Sequence, residues 1–243
     1  MSRFRASGAH FLISAFVACV LLSLCWFIWY PAPLLVALGG HELFLLIIGV
    51  DVVLGPLLTL AVFKPGKKSL RFDLSVIALL QVAALFYGMN ALLAGRPVYA
   101  AALGKEFQVV LAPEVTEANL AKATTRLPWW GPSWVGTKAA TEQYDRNAVM
   151  DLERMGAGRG HLPQLHIPYA TMANELLANA ASIETLKKHN PTQVNQIDAW
   201  LDAKGINPAT SRYQPIKMGA SRFVVLLNAE NAAVLGIAQF RPD

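Results

Sequence analysis

Twenty consecutive residues without a charge, Phe11 to Tyr30, constrain this chain more than any other feature. A helix of that length crosses ~30 Å of hydrocarbon. The run ends in Trp26, Trp29 and Tyr30, side chains that suit the boundary between lipid and water. A cleaved secretion signal would have an apolar core of ~7 to 15 residues followed by small residues, whereas Pro31 follows the aromatic cluster here. The segment is therefore read as a retained helix.

Two more spans are expected, at Leu43 to Phe63 and Leu74 to Ala94. The first of these contains Asp51, whose insertion at mid-membrane costs ~3 kcal/mol, but its fifteen Leu, Ile, Val and Phe residues each return ~0.3 to 0.6 kcal/mol. Insertion is favoured by a few kcal/mol. The whole chain is 54% hydrophobic and only 15% charged, well below the ~25% charge of soluble domains. Up to residue 94 there are six Lys/Arg and three Asp/Glu; beyond it there are fifteen and thirteen. Residues 1–95 thus read as a three-helix transmembrane domain and residues 96–243 as one soluble domain, long enough to bury a core unaided.

All six basic residues of the membrane half, Arg3, Arg5, Lys64, Lys67, Lys68 and Arg71, fall on one expected side, and the loop from Pro31 to Glu42 has none. By the positive-inside rule the N-terminus is cytoplasmic and the soluble domain lies outside. The formal charge of +5 is mostly this topogenic cluster; fifteen basic against thirteen acidic residues leave the outer half at only +2, so nucleic acid is not an expected partner. Cys19 and Cys25 both lie in the first span, and the outer half has no cysteine.

Small residues let membrane helices approach closely. Ala15, Cys19 and Ser23 make one such stripe, and Gln81, Ala84, Gly88 and Ala91 another. Both are weighed as packing within this bundle against docking of a partner helix. Asp51 stands one turn before Gly55-Pro56, and in an α-helix Pro56 leaves the carbonyl of Val52 without a donor. An intramembrane acid is a functional-site candidate, with an internal hydrogen bond to Gln81 as the alternative.

The outer half reads as a periplasmic α+β domain with an antiparallel sheet. Val98 to Leu103 and Phe107 to Leu111 flank Gly104-Lys105-Glu106 as hairpin arms. Helices are expected from a Thr137 cap to Met155, from Ala170 to His189, and from Pro191 to Ala203 with Asn190 as cap and Gly205 as stop. The first should lay Tyr144, Ala148, Leu152 and Met155 on the sheet. Tyr213 to Met218, Arg222 to Leu227 and Ala233 to Phe240 close the chain as strands, with helices on one face of the sheet.

Nothing points to catalysis or to a cofactor. His161 and His166 read as scattered surface histidines, and no nucleophile elbow, P-loop or dinucleotide fingerprint is present. Leu127-Pro-Trp-Trp-Gly-Pro-Ser-Trp134 is the domain's most unusual segment; Trp129, Trp130 and Trp134 either pack on core or membrane surface or anchor a partner.

Gly49-Val-Asp51-Val-Val-Leu-Gly55-Pro56-Leu-Leu-Thr59, Phe63-Lys-Pro-Gly-Lys67, Gln81, Leu85-Phe-Tyr87-Gly88 and Arg96-Pro97-Val-Tyr99 form a motif block over about residues 41–99. It resembles the TfpX/TfpZ family of type IV pilin accessory proteins, also labelled fimbrial assembly protein FimB. The resemblance implies a non-enzymatic protein of the bacterial inner membrane that assists production or assembly of its cognate pilin and needs no cofactor. It implies the major type IV pilin as partner, through its transmembrane helix and its head, with lipid around the spans. Asp51, Gly55, Pro56, Gln81, Ala84, Gly88, Trp129, Trp130 and Trp134 are the candidate contact residues. The rival is a membrane-anchored periplasmic sensor of a small ligand, though only short loops are left on the cytoplasmic side to carry its signal.

Overall fold

The computed structural model describes residues 2–123, 126–218 and 221–243. The chain divides into two compact units, Met1–Arg96 and Pro97–Asp243.

Three helices of the first unit are long and apolar enough to cross a membrane: span one, Arg3–Trp29; span two, Gly40–Val62; and span three, Leu70–Ala94. Spans one and three begin before their charge-free cores, at Arg3 and Leu70, because a helix continues into the headgroup region where charged side chains are solvated. Phe16, Phe27, Leu79 and Phe86 point outward, as lipid contact requires. Spans one and two each contain a wide π-helical stretch, Cys25–Trp29 and Gly49–Leu54. Ser7 Oγ donates to the Pro56 carbonyl at 2.9 Å and His10 Nδ1 lies 2.6 Å from Thr59 Oγ1, joining span one to span two. At the opposite end of the bundle the Tyr30 hydroxyl donates to the Leu92 carbonyl at 2.8 Å.

The second unit is built on a sheet with strand order β4-β3-β1-β2-β6-β7-β8 and the short β5 also pairing β6. The strands are β1 (Pro97–Ala102), β2 (Phe107–Leu111), β3 (Ser133–Thr137), β4 (His166–Pro168), β5 (Ala181–Ser182), β6 (Ser211–Met218), β7 (Ser221–Asn228) and β8 (Val234–Ala238). The sheet is mixed rather than antiparallel, since β1 runs parallel to β3 and β2 parallel to β6. The physical sign is in β1, where all six residues are buried: a strand covered on both faces reads as a continuous apolar run, and such strands accommodate parallel neighbours.

The expected hairpin forms between β1 and β2, with Gly104 at a φ of 95° in its turn and Leu103 N–H donating to the Glu106 carbonyl. Ile183–His189 and Val194–Lys204 are helices that cover one face of β6, β7 and β8; Ile183, Leu186, Ile197 and Leu201 meet Tyr213, Val224 and Leu226 there.

Three helix expectations need correction. Thr137 does not cap a helix but ends β3, where its hydroxyl donates to the Ala102 carbonyl and accepts from Arg159 Nε, both within 2.8 Å. The helix that follows runs from Gln143 to Arg154 and leaves Tyr144 and Met155 exposed, so it does not lay its apolar stripe on the sheet. The long helix expected from Ala170 to His189 is interrupted: Ala173–Asn179 ends, Ala181 and Ser182 pair with β6, and Ser182 then caps Ile183–His189 by accepting from Thr185 N–H. Asn190 does not cap the next helix, because its side chain is engaged with Leu186 and Arg241 while that helix starts at Val194.

Candidate functional site

The membrane unit gathers its polar side chains around the middle of span two. A helix with i to i−4 bonds would place the carbonyl of Val52 opposite Pro56, but here the Gly55 N–H donates to the Val50 carbonyl, five residues back. In that wider register the carbonyl facing Pro56 is that of Asp51, and Gln81 Nε2 of span three donates to it at 3.0 Å. The exposed acceptor foreseen from the sequence therefore exists one residue earlier, and a partner helix satisfies it.

That bond uses the main chain of Asp51 and leaves its side chain alone. Both carboxyl oxygens of Asp51 and Oε1 of Gln81 are buried without a hydrogen bond. The residue is 8% exposed. A cleft of about 170 Å³ opens beside it, lined from span one by His10, Ser14 and Val17, from span two by Ile47 and Asp51, and from span three by Gln81. The walls are otherwise apolar, and Phe44 and Val82 extend them.

The other candidates divide by location. Gly55 lies against the Gln81 side chain, which a Cβ at that position would overlap, and a Cβ on Gly88 would come within 2.5 Å of two Ile47 side-chain carbons. Both glycines thus bring spans two and three together, and Gln81 and Gly88 of the third-span stripe pack within this bundle. Pro56 is buried with its carbonyl held by Ser7. The Cys19 and Ser23 stripe of span one is exposed instead. Trp134 is half-buried, its ring 5.6 Å from Phe107 and edge-on to it, whereas Trp129 and Trp130 are 63% and 74% exposed.

Sequence reasoning missed Ser7, His10 and Ser14, and held Thr59 only as part of the motif block. Ser7, His10 and Ser14 recur at spacings of three and four and so share one helical face, a signal lost when the span was taken to begin at Phe11.

Neither His161 nor His166 of the outer unit is a surface group. His161 is buried, with Nε2 3.4 Å from Glu114 Oε2, and the His166 ring meets Tyr99 edge-on at 4.5 Å. Burial works to raise the Glu114 carboxyl, but His161 and the Leu111 N–H outweigh it and hold the group below its ordinary range. Burial lowers His166, which favours its neutral form, and lifts the Tyr169 phenol to about 12.

Comparison with known proteins bears on what this arrangement serves. A family profile described as "Fimbrial assembly protein FimB" matches residues 1–39. The "Fimbrial assembly protein, serogroup I" of Dichelobacter nodosus is 27% identical over 231 residues, covering 92% of this chain and 90% of that protein. The "Fimbrial assembly protein, serogroups C1 and C2" of the same organism is 44% identical over 96 residues, covering 39% of this chain and 73% of that protein. The chain belongs to the fimbrial assembly protein FimB family. The serogroup E1 protein of Dichelobacter nodosus, 26% identical, matches over the same share of the chain. No solved structure matches the chain. In this FimB-family protein the membrane unit carries the unsatisfied acid, while the outer unit offers the exposed Trp129 and Trp130.

Proposed function

We propose that this FimB-family protein is a non-enzymatic accessory factor of type IV pilus assembly that holds its cognate major pilin at the bacterial inner membrane before the pilin joins the fibre. The observation that carries this reading is the match to a fimbrial assembly protein along 92% of the chain. The three spans support membrane residence. Arg3, Arg5, Lys64, Lys67, Lys68 and Arg71 all belong to the end of the bundle that holds the N-terminus, which supports a cytoplasmic N-terminus and a periplasmic outer unit.

Within this reading the pilin's membrane helix meets the cleft at Asp51 and Gln81, and its head meets the outer unit, where Trp129 and Trp130 offer aromatic anchors. Gly55, Pro56, Ala84 and Gly88 act indirectly, by setting the approach of spans two and three. The experiment is deletion of the gene in a piliated host with pilin production intact, followed by complementation with the whole chain. Loss of surface pili restored by the chain is expected; unchanged piliation would sink the reading. Trp130→Cys should react with an impermeant maleimide from the periplasmic side, and reaction from the cytoplasmic side alone would reverse the topology.

A further inference from the structure

We infer that the cleft lined by the three spans receives one membrane-spanning helix bearing a single cationic, multi-donor nitrogen group, an ammonium or a guanidinium, opposite Asp51. The inference rests on the proposed function and specifies the chemistry of its partner.

The argument starts from unsatisfied acceptors. The two carboxyl oxygens of Asp51 and Oε1 of Gln81 are three buried acceptors without a hydrogen bond. Of the donors nearby, Gln81 Nε2 bonds the main-chain carbonyl of Asp51 and His10 Nδ1 faces Thr59, and no hydrogen bond joins either side chain to the Asp51 carboxyl. Asp51 lies midway along the Gly40–Val62 span, where lipid supplies no donors and an unpaired acid is strongly disfavoured. A hydroxyl would satisfy one of the three oxygens. An ammonium carries three N–H groups and a guanidinium five, and either would also balance the charge of an ionised Asp51.

The size of the cleft limits how the partner sits. A volume of about 170 Å³ seats a few side chains but not a helix, so the partner lies along the groove and projects one face into it. Apolar groups of that face would meet Val17, Phe44 and Ile47, leaving the cation to reach Asp51. The same cation on a lone helix in lipid would be as unfavourable as the acid it pairs with. Partner and cleft therefore stabilise each other only together, as a holding factor requires.

The test uses the full chain in native membranes that contain pilin, with a photoreactive residue at Val82, which lines the cleft, or at Trp130 in the outer unit. A pilin adduct is expected at Val82. Its yield should fall about tenfold in Asp51→Asn, which keeps shape but loses charge, and stay within about twofold in Asp51→Glu, at equal protein levels. An Asn variant that crosslinks like the parent would overturn the cationic partner. Lipid adducts alone at Val82, with pilin still captured at Trp130, would overturn the cleft as a helix site and leave the proposed function standing. Pilin absent from both positions would remove both.

Discussion

The two units of this protein follow one burial rule in two solvents. The outer unit buries Phe107, Leu176, Ile216 and Leu226 and exposes few large apolar groups, Trp129 and Trp130 among them. The membrane unit turns Phe4, Phe16, Phe27 and Phe86 outward and encloses Ser14, Asp51 and Thr59. An exposed phenylalanine is thus uninformative in the spans, where lipid is its solvent, while an exposed tryptophan pair in the outer unit marks a surface of interest. The reverse holds for buried polar groups. Gln214 in the outer core leaves Oε1 without a hydrogen bond but donates through Nε2 to the carbonyls of Gly104 and Leu176, whereas neither carboxyl oxygen of Asp51 has a hydrogen bond, and that acid stands as the unfinished part of the bundle.

The largest effect that could break this comparison is Phe107→Ala. The residue is fully buried between strands, so truncation should cost ~4 kcal/mol in denaturant unfolding of the outer unit within the whole protein. Phe86→Ala, on the lipid side of span three, should shift stability by less than ~0.5 kcal/mol. Equal losses at the two sites would refute the solvent reversal.

Gly88→Leu comes next, because the new side chain must displace Ile47. About 2 to 3 kcal/mol should be lost in reversible unfolding of the bundle in mixed micelles, whereas Gly49→Leu, with no atom near its Cβ, should be close to neutral. A Gly88→Leu protein as stable as the parent would show that spans two and three do not pack there.

Gln81→Leu should cost ~1 kcal/mol by the same measurement, the scale of one hydrogen bond between membrane helices, since only the Asp51 carbonyl loses its donor. A loss of several kcal/mol would mean that Gln81 also holds the Asp51 side chain.

The smallest effect is a pH dependence confined to the outer unit. The folded-state pKa of Glu114 is held down, so its contribution is present above the ordinary carboxylate range and is lost as pH falls through the lowered value. Outer-unit melting should therefore fall at acid pH, and Glu114→Gln should flatten the lower part of that decline. His166, lowered by burial, adds an acid-side loss that begins as pH falls through the ordinary histidine range and continues down to its lowered folded-state value, which His166→Phe would remove. A melting curve with the same acid slope in all three proteins would dismiss both assignments.

How far the sequence revealed this architecture differs between the units for the same reason. A span is specified locally by length, apolarity and flanking charge, so all three were legible. The mixed sheet was not, because parallel pairing of β1 with β3 depends on residues more than thirty positions apart. Its one local trace was the unbroken apolar run from Val98 to Ala102, a pattern that alternation would have interrupted. The Gln143–Arg154 helix has the spacing of a packed helix and yet keeps Tyr144 and Met155 outside, so periodicity gave its existence but not its burial. At the site, Asp51 and Pro56 were visible as an irregularity, whereas the π register that moves the exposed carbonyl from Val52 to Asp51 is a tertiary outcome shared with Gln81.

The measurement that bears most directly on the central claim is the unfolding free energy of purified Asp51→Leu in lipid bicelles, without pilin, beside pilin co-capture by the same variant in cells. An acid kept for a partner has no structural role in the free protein, so the leucine variant should be as stable as the parent or more so, while pilin capture is lost. A variant that loses several kcal/mol in the absence of pilin would contradict the account, because Asp51 would then be holding its own bundle together.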